Sequence, residues 1–528
     1  MACAAAILAL TQVRVLRLYV PAGDDLPLIV NSANRWISVA GVLGWFTRGY
    51  SGYFDNYPGW TPLATGFVRP VQNVVFWLAS LLEPATGYAA YLLINYVAVI
   101  ALAGIVALIV ICYGSARPWV AIIAGVLTAL SPAFQSALFT AAMGTNVIAA
   151  VLAAASIAAL DARRGVTSQR ILACAIFQSL AVLAHETALV MPLVAVALIA
   201  YYAPNRKVVL WPTAVLAAPG VVFIIIRLLH GAVSDVYVTQ RSALDSLDRL
   251  KWFLVHSVLP YDPPRFYINL TAYPYWRTAL GVIAVIATEV LVAALILNLV
   301  RRGQSKDLWL VVALFAALLP LAFGAVEARF QGFAVLVALI VFFETTPVGR
   351  MRIMLFGVTA TIVGLLVIEG LVEGQPRLDT ARQNASYYDY LRDSIQGGEP
   401  DTVVLVNDKF GHFGACNAPT YAAGPHSSFE VQVVNSLLGD ESPDARTEVV
   451  INEDYLVIIN ELGADQRAAF FGNQADFGRP TTAFEYRELQ DENRGSFVAV
   501  GRLQTGRTLV VGFDAKTNDF LAPIVIDR

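Results

Sequence analysis

Cysteine, histidine and charged side chains are all scarce in this chain of 528 residues. The chain has 4 cysteines and 5 histidines, and the cysteines do not have the spacing of a disulfide framework or a zinc site. Only 14% of the residues are charged, whereas a soluble domain carries about 25%. A formal net charge of −3 argues against a nucleic-acid partner.

Hydrophobic residues make up 57% of the chain, and they are concentrated before about residue 375. They form runs whose lengths approach the roughly 17–25 residues that cross a bilayer. A first run at 4–20 is interrupted by polar residues, and clearer runs follow at about 88–113, 119–138, 144–160, 171–184, 187–203, 208–229, 277–300, 308–325, 331–346 and 352–372. The sequence therefore predicts a polytopic α-helical membrane protein with about eleven transmembrane helices.

Basic residues in short loops indicate the direction of these spans. They cluster in every second loop: Arg117; Arg163, Arg164 and Arg170; Arg206 and Lys207; Arg301, Arg302 and Lys306; Arg350 and Arg352. Such loops lie on the cytoplasmic side of a membrane. We therefore expect an inner (plasma) membrane protein with a cytoplasmic N-terminus and a first exterior loop at 21–87. The first run is read as a span and not as a cleaved signal peptide, since its positive charges follow the apolar stretch.

The last part of the chain has the pattern of a soluble domain. Apolar, β-branched segments at 402–406, 447–451, 455–459, 497–500 and 508–513 are separated by Gly, Pro, Asn and Asp, as strands are. A helix is predicted at 380–395. We therefore divide the chain into a transmembrane domain at 1–374 and an extracytoplasmic α/β or β-rich domain at 375–528.

Two polar sites lie in the first exterior loop. Asp24 and Asp25 follow the first span directly, and Arg69 precedes Pro70 and an amphipathic stretch that ends near Glu83. Ionisable groups close to a membrane indicate function, and guanidinium binds phosphate oxygens in a fixed fork. The alternatives are an ordinary solvated turn for the two acids, and snorkelling or an ion pair with an acid for Arg69.

Two more polar sites fall on the same predicted face. His185 and Glu186 lie between two apolar runs, and Glu327 and Arg329 close another span. The alternatives are a helix N-cap pair for the first and a salt bridge for the second. Convergence on one face would place carboxylates and cations around one cavity.

Several familiar motifs are absent from the sequence. It contains no phosphate-binding P-loop, no dinucleotide-binding glycine motif in context and no HExxH zinc motif. No third oxygen ligand accompanies the acidic pair. A divalent metal near the acids stays an open alternative, but the sequence gives no support for it, so no metal and no cofactor is assigned.

In their order along the chain, these motifs resemble the GT-C superfamily of membrane glycosyltransferases, which use polyprenyl-phosphate-linked sugars. The chain is most similar to bacterial members and to the membrane part of the tetratricopeptide-containing mannosyltransferases, over about residues 1–345. The matching segments are Asp24-Asp25, Val68-Arg69-Pro70-Val71, Leu130-Ser131-Pro132-Ala133-Phe134, His185-Glu186-Thr187 followed by Pro192, and Glu327-Ala328-Arg329. The chain departs from the family in having His185 at a position that is usually lysine, in the inserted Ala328, and in lacking a tetratricopeptide array.

The resemblance implies an inverting glycosyltransferase of EC class 2.4. Asp24 or Asp25 would be the general base. Arg69, Arg329 and His185 would bind the donor phosphate, with Glu186 and Glu327 in support. The expected partners are a polyprenyl-phosphate-linked sugar, membrane lipid, and an acceptor glycan, lipid or protein.

Three other functions compete with this interpretation. A polymerase or ligase of lipid-linked glycans would have a similar composition. A transporter or flippase would place intramembrane acids and arginines along a substrate path, although no internal repeat of the kind common in transporters is evident. A membrane scaffold would only present the exterior domain.

Overall fold

The structure is a computed structural model that describes the chain in segments. These are residues 69–114, 117–129, 134, 136–138, 140–203, 207–229, 297, 299, 301–323, 332–345, 356–357, 360–361, 374–409, 418–424, 429–438, 442–463, 467–470, 484–488 and 497–528, together with Leu16, Pro21, Asp25 and Ile29.

The chain divides into two compact units. The first contains 1–19, 69–229 and 239–378, and the second contains 20–68, 230–238 and 379–528. The second unit thus combines the C-terminal residues with most of the first predicted exterior loop.

The described part of the first unit is helical. Its helices are α1 (Pro70–Thr86), α2 (Ala89–Gly114), α3 (Pro118–Ala129), α4 (Gly144–Leu160), α5 (Ser168–Ala184), α6 (Met191–Tyr202), α7 (Lys207–Leu229), α8 (Asp307–Phe323) and α9 (Gly332–Thr345). Short 3₁₀ turns at Ser136–Leu138, Ala141–Met143, Ala162–Arg164 and Glu186–Val190 join some of them. The apolar runs predicted as spans are thus helical wherever the structure describes them.

The surface of these helices is apolar. Large exposed apolar side chains include Leu93, Val97, Leu108 and Ile111 on α2, Leu172 and Ile176 on α5, Trp211, Val221 and Val222 on α7, and Leu308 and Phe315 on α8. A water-soluble protein rarely exposes so much contiguous apolar surface. Such a surface is typical of a helical bundle that faces lipid.

Two helices of the described chain are long and apolar enough to cross a membrane, by length and composition, namely Ala89–Gly114 and the helical stretch Ala141–Arg164. Other apolar helices of 10–17 residues occur in the first unit. The runs predicted at 4–20, 277–300 and 352–372 lie almost entirely outside the described residues. The count of about eleven spans therefore stays a prediction.

Close helix packing in the first unit depends on small residues. A Cβ atom at Gly125 of α3 would lie 2.2 Å from the carbonyl oxygen of Ala103 on α2. A Cβ atom at Gly144, the first residue of α4, would lie 1.8 Å from Oδ1 of Asn95. Asn95 itself donates from Nδ2 to the carbonyl oxygen of Ala137, at 2.9 Å. Buried Asn95 thus ties α2 to the turn that precedes α4.

The second unit contains α10 (Gly374–Gly398), whose residues from Asp379 onward belong to it, α11 (Ala418–Ala423) and two four-stranded sheets. The strands are β1 (Thr402–Val406), β2 (Glu430–Val433), β3 (Asn435–Leu438), β4 (Arg446–Asn452), β5 (Tyr455–Glu461), β6 (Arg467–Phe470), β7 (Phe484–Glu488), β8 (Phe497–Arg502), β9 (Arg507–Gly512) and β10 (Ile524–Asp527). The first sheet has the order β10-β9-β1-β2, with β1 parallel to both β2 and β9. The second is antiparallel, with the order β4-β5-β8-β7, and β3 pairs with β6.

Strand β1 lies at the centre of the core, because every one of its residues is buried. Val403 and Leu405 pack with α10 and α11 on one face. Val404 and Val406 pack with residues of the second sheet on the other. The unit is thus layered as helices, a mixed sheet in which β10 alone is antiparallel to its neighbour, and an antiparallel sheet. Each of the five predicted strands and the predicted helix at 380–395 is present in it.

A buried asparagine network joins the two sheets where β1 ends. Asn407 has a left-handed backbone (φ 55°) and is fully buried. Its Nδ2 donates to Oγ1 of Thr447 at 3.0 Å and to the carbonyl oxygen of Phe513 at 2.9 Å. Its Oδ1 accepts from Nδ2 of Asn435 at 2.6 Å and from Nδ2 of Asn460. The side-chain amides of the cluster are thus hydrogen-bonded to one another, to Thr447 and to the backbone.

Replacing Asn407 with alanine is therefore expected to destabilise the chain by about 1–3 kcal/mol, since it leaves buried amides unpaired. The matched control is Asn452→Ala, at an exposed residue of β4. Chemical unfolding of the detergent-solubilised full chain, followed by tryptophan fluorescence, compares the two variants. A loss no larger for Asn407→Ala than for Asn452→Ala would contradict the network's role.

Candidate active site

Arg69 and Glu186 form a bidentate ion pair in the first unit. Arg69 Nε lies 2.9 Å from Oε2 of Glu186, and Nη2 lies 2.6 Å from Oε1. The side chain of Arg69 is 18% exposed and that of Glu186 is 21% exposed. Two parallel hydrogen bonds fix the plane of a guanidinium as well as its position. The pair also joins two of the predicted polar sites, which are 117 residues apart in sequence.

Local sequence explains why both side chains reach this point. Pro70 is the first residue of α1, a position where its missing N–H costs nothing, so Arg69 is the residue before the helix. Helix α5 ends at Ala184 because His185 has an extended backbone (φ −157°, ψ 132°). Glu186 then starts the 3₁₀ turn that leads into α6. Since α1 packs against α5, the start of one helix meets the end of the other.

His185 caps the turn that contains Glu186. Its Nδ1 accepts from the backbone N–H of Thr187 at 3.3 Å and lies 2.8 Å from Oγ1 of Thr187. Because Nδ1 accepts, the neutral imidazole carries its proton on Nε2. The same Nδ1 lies 4.0 Å from Oε2 of Glu186. The N-cap alternative is therefore present in the structure, and the predicted phosphate-binding role of His185 stays a prediction.

Of the other predicted site residues, the structure describes Asp25. Asp25 is helical and 2% exposed, and it belongs to the second unit. Asp24, Glu327 and Arg329 lie outside the described residues. The structure thus brings together Arg69, His185 and Glu186, and the other roles stay predictions.

Sequence reasoning missed two buried amides near this pair in sequence. Gln72, one helical turn after Arg69, is 2% exposed, and its Oε1 accepts no hydrogen bond from any described residue. Gln178 of α5 is fully buried and donates from Nε2 to the carbonyl oxygen of Met191 at 3.2 Å. The sequence signal that could have identified these two residues is a lone polar side chain within a helical apolar pattern. Gln178 ties α5 to α6 across the break that presents Glu186.

Metal-ligating side chains do not cluster in the described part of the chain. No group of three or more His, Cys, Asp or Glu residues there could hold a metal ion. The described residues of the site supply a guanidinium, a carboxylate and an imidazole.

The ion pair is expected to make substitutions at Arg69 and Glu186 non-additive in their effect on the free energy of unfolding. A cycle of Arg69→Gln, Glu186→Gln and the double variant should give a coupling free energy of roughly 0.5–3 kcal/mol, since each single change leaves a largely buried charge unpaired. The control cycle uses Arg392 and Asp389, an exposed pair three residues apart on α10. Its coupling should be about 0.5 kcal/mol or less. Equilibrium unfolding in detergent measures both cycles, and equal couplings would show that the Arg69–Glu186 contact is not formed.

Among the comparisons with known proteins, the one with solved structures finds matches. No protein-family model and no curated protein matches the chain. The solved structures that match it include two crystal structures of ArnT from Cupriavidus metallidurans, one bound to undecaprenyl phosphate and one in the apo state. In each case the identity is 12%, the match covers 82% of this chain and 85% of the other, and the TM-score is 0.45. The chain is similar to ArnT to this degree, and no residue role in this chain rests on that likeness.

Proposed function

We propose that this chain is a membrane glycosyltransferase that moves a sugar from a polyprenyl-phosphate donor to an extracytoplasmic acceptor, with inversion at the anomeric carbon. The observation that supports the proposal most directly is the Arg69–Glu186 pair. It joins two motifs that the sequence analysis had assigned to the same membrane face. The acceptor is a glycan, a lipid or a protein.

Arg69 stabilises the leaving group in this proposal. As the bond between the anomeric carbon and the phosphate oxygen breaks, that oxygen takes the bonding electrons and gains negative charge. A preoriented cation lowers the energy of such a charge more than a mobile one does. Glu186 supplies the orientation, because its two oxygens hold Nε and Nη2 of Arg69. Arginine stays protonated throughout, so the site keeps its cation at any physiological pH.

His185 and Arg329 assist in binding the phosphate. The imidazole of His185 lies beside the ion pair, with Nδ1 4.0 Å from Oε2 of Glu186. Its charge near neutral pH depends on its surroundings, unlike that of the lysine usual in the family. In the proposal Glu327 has a supporting role beside Arg329.

Asp24 or Asp25 acts as the general base. The carboxylate takes the proton from an acceptor hydroxyl while that oxygen attacks the anomeric carbon from the face opposite the phosphate. The products are the glycosylated acceptor and polyprenyl phosphate, so the reaction balances without a cofactor. A positioned base contributes about 10²–10⁴-fold to the rate.

The apolar helices give the donor's prenyl chain a place to lie. Exposed leucine, isoleucine, valine and phenylalanine side chains on α2, α5, α7 and α8 form a surface that lipid covers. A substrate whose tail stays in the bilayer needs an enzyme whose site opens to lipid. This accounts for the many spans predicted for one transferase.

Loss of the base should abolish transfer. Membranes that contain the wild-type chain, Asp24→Asn or Asp25→Asn are assayed with a panel of radiolabelled polyprenyl-phosphate sugars. One of the two variants is expected to lose about 10²–10⁴-fold in rate, while the control Asp389→Asn, an exposed acid of α10, keeps full activity. Retention in both variants would refute the assignment of the base. A wild-type chain that consumes no donor would refute the transferase and favour the transporter.

The proposed orientation puts the C-terminal domain outside the cell membrane and the loop after α4 inside. Lys516 and Arg164 are exposed residues of these two regions, so each is replaced by cysteine. A membrane-impermeant maleimide should label Lys516→Cys in intact spheroplasts and Arg164→Cys only after permeabilisation. The unsubstituted chain gives the background from its natural cysteines. Labelling in the reverse order would overturn the orientation.

A further inference from the structure

Tyr388 of α10 is hydrogen-bonded to the start of the first predicted exterior loop. Its Oη donates to the carbonyl oxygen of Pro21 at 2.8 Å, across 367 positions of sequence. Both residues are buried, and both belong to the second unit. The C-terminal residues therefore hold a backbone group that lies just ahead of the acidic pair.

Tyr388 is itself firmly placed. It is 3% exposed and packs in the core cluster between α10, α11 and the mixed sheet. Its ring centroid lies 4.6 Å from that of Tyr421 on one side. Its neighbour Tyr387 donates to Oδ2 of the fully buried Asp408 at 2.5 Å. Burial and the Asp408 carboxylate raise the pKa of Tyr387 well above its ordinary value, so the Tyr387 hydroxyl keeps the proton that it donates to Asp408.

Pro21 transmits this placement to the acidic pair over a short tether. Its ring fixes its own φ near −65°, and Asp24 follows three residues later. Because an extended chain advances at most about 3.6 Å per residue, the Cα of Asp25, four residues after Pro21, lies within about 14 Å of the Cα of Pro21. Asp25 and Ile29 each have a helical backbone, and both are 2% exposed. The segment is thus held at Pro21 and buried again at Asp25.

We infer that Tyr388 is a positioning residue for the segment that carries the proposed base: its hydroxyl fixes Pro21 and thereby the backbone that leads to buried Asp25. The inference rests on the proposed function in taking an acid of this segment as the base. A displacement of about 1 Å between reacting groups can cost about 10²-fold in rate. Loss of the Tyr388 hydroxyl, which holds the chain a few residues before the proposed base, should therefore have a measurable effect on turnover.

The inference also assigns a function to the C-terminal domain. A domain that only bound an acceptor would not need to hold the loop after the first span. Here the hydrogen bond runs from the core of the domain, not from its surface. The domain thus acts on the chemistry of the transferase as a support for its base.

The test compares Tyr388→Phe with Tyr390→Phe in the full chain. Each change removes one hydroxyl from the same helix. Tyr390 bonds only inside the C-terminal domain in the contacts described, to the carbonyl oxygen of Leu521 at 2.8 Å and the backbone N–H of Gly512 at 3.2 Å. Tyr388→Phe should lower kcat by roughly 10-fold, with KM for the donor changed less than about twofold, because positioning acts on the chemical step. Tyr390→Phe should leave kcat unchanged although it removes two hydrogen bonds.

Hydrogen exchange gives a second readout that does not depend on activity. The peptide that contains Pro21, Asp25 and Ile29 should exchange faster in Tyr388→Phe than in the wild type, and at the wild-type rate in Tyr390→Phe. Equal exchange in both variants, or an unchanged kcat in Tyr388→Phe, overturns the inference while the transferase stands. Faster exchange together with a wild-type chain that transfers no sugar upholds the anchor and refutes the proposed function.

Discussion

The ion pair between Arg69 and Glu186 is the constraint on which the candidate site depends. In a chain with so few charged residues, a largely buried guanidinium needs a partner, because an unpaired buried charge is very costly. Glu186 meets that need with both of its oxygens. The same contact fixes where α1 begins relative to the break between α5 and α6. Structural and chemical demands therefore act on the same two side chains, and a change at either affects both.

Much of the fold could be predicted from the sequence, because hydrophobic pattern determines it. The apolar helices and the five strongest strands follow from runs of leucine, valine and isoleucine. The missed strands β2, β3, β6, β7 and β10 are only four or five residues long, and several mix polar with apolar residues, as in Glu430–Val433. Strand β2 pairs with β1 across α11, and β3 pairs with β6 across β4 and β5, whereas β7 and β10 pair with their neighbours β8 and β9. Strands of this kind are specified by tertiary packing more than by local pattern.

The site could be predicted only as a set of candidates. The sequence placed Arg69 and Glu186 on one face but gave an unnamed acid as the alternative partner of Arg69, because nothing local links positions 117 residues apart. Tyr388 gave no signal at all, since a tyrosine in an amphipathic helix looks like core. At the end of β1 the pattern predicts a site that the structure does not leave open. Ligands often bind at the carboxyl ends of parallel strands, yet here Asn407 and its partners occupy that position.

The composition of the second unit gives the proposed base a physical requirement. Pro21 and Asp25 belong to the same compact unit as the residues from Asp379 onward. A base carried by this segment would therefore depend for its position on the packing of the C-terminal residues. Tyr387 and Tyr388 are buried in that packing, and they donate hydrogen bonds to Asp408 and to the carbonyl oxygen of Pro21. Under the proposal, the C-terminal domain would thus serve the transfer step and not only the binding of an acceptor.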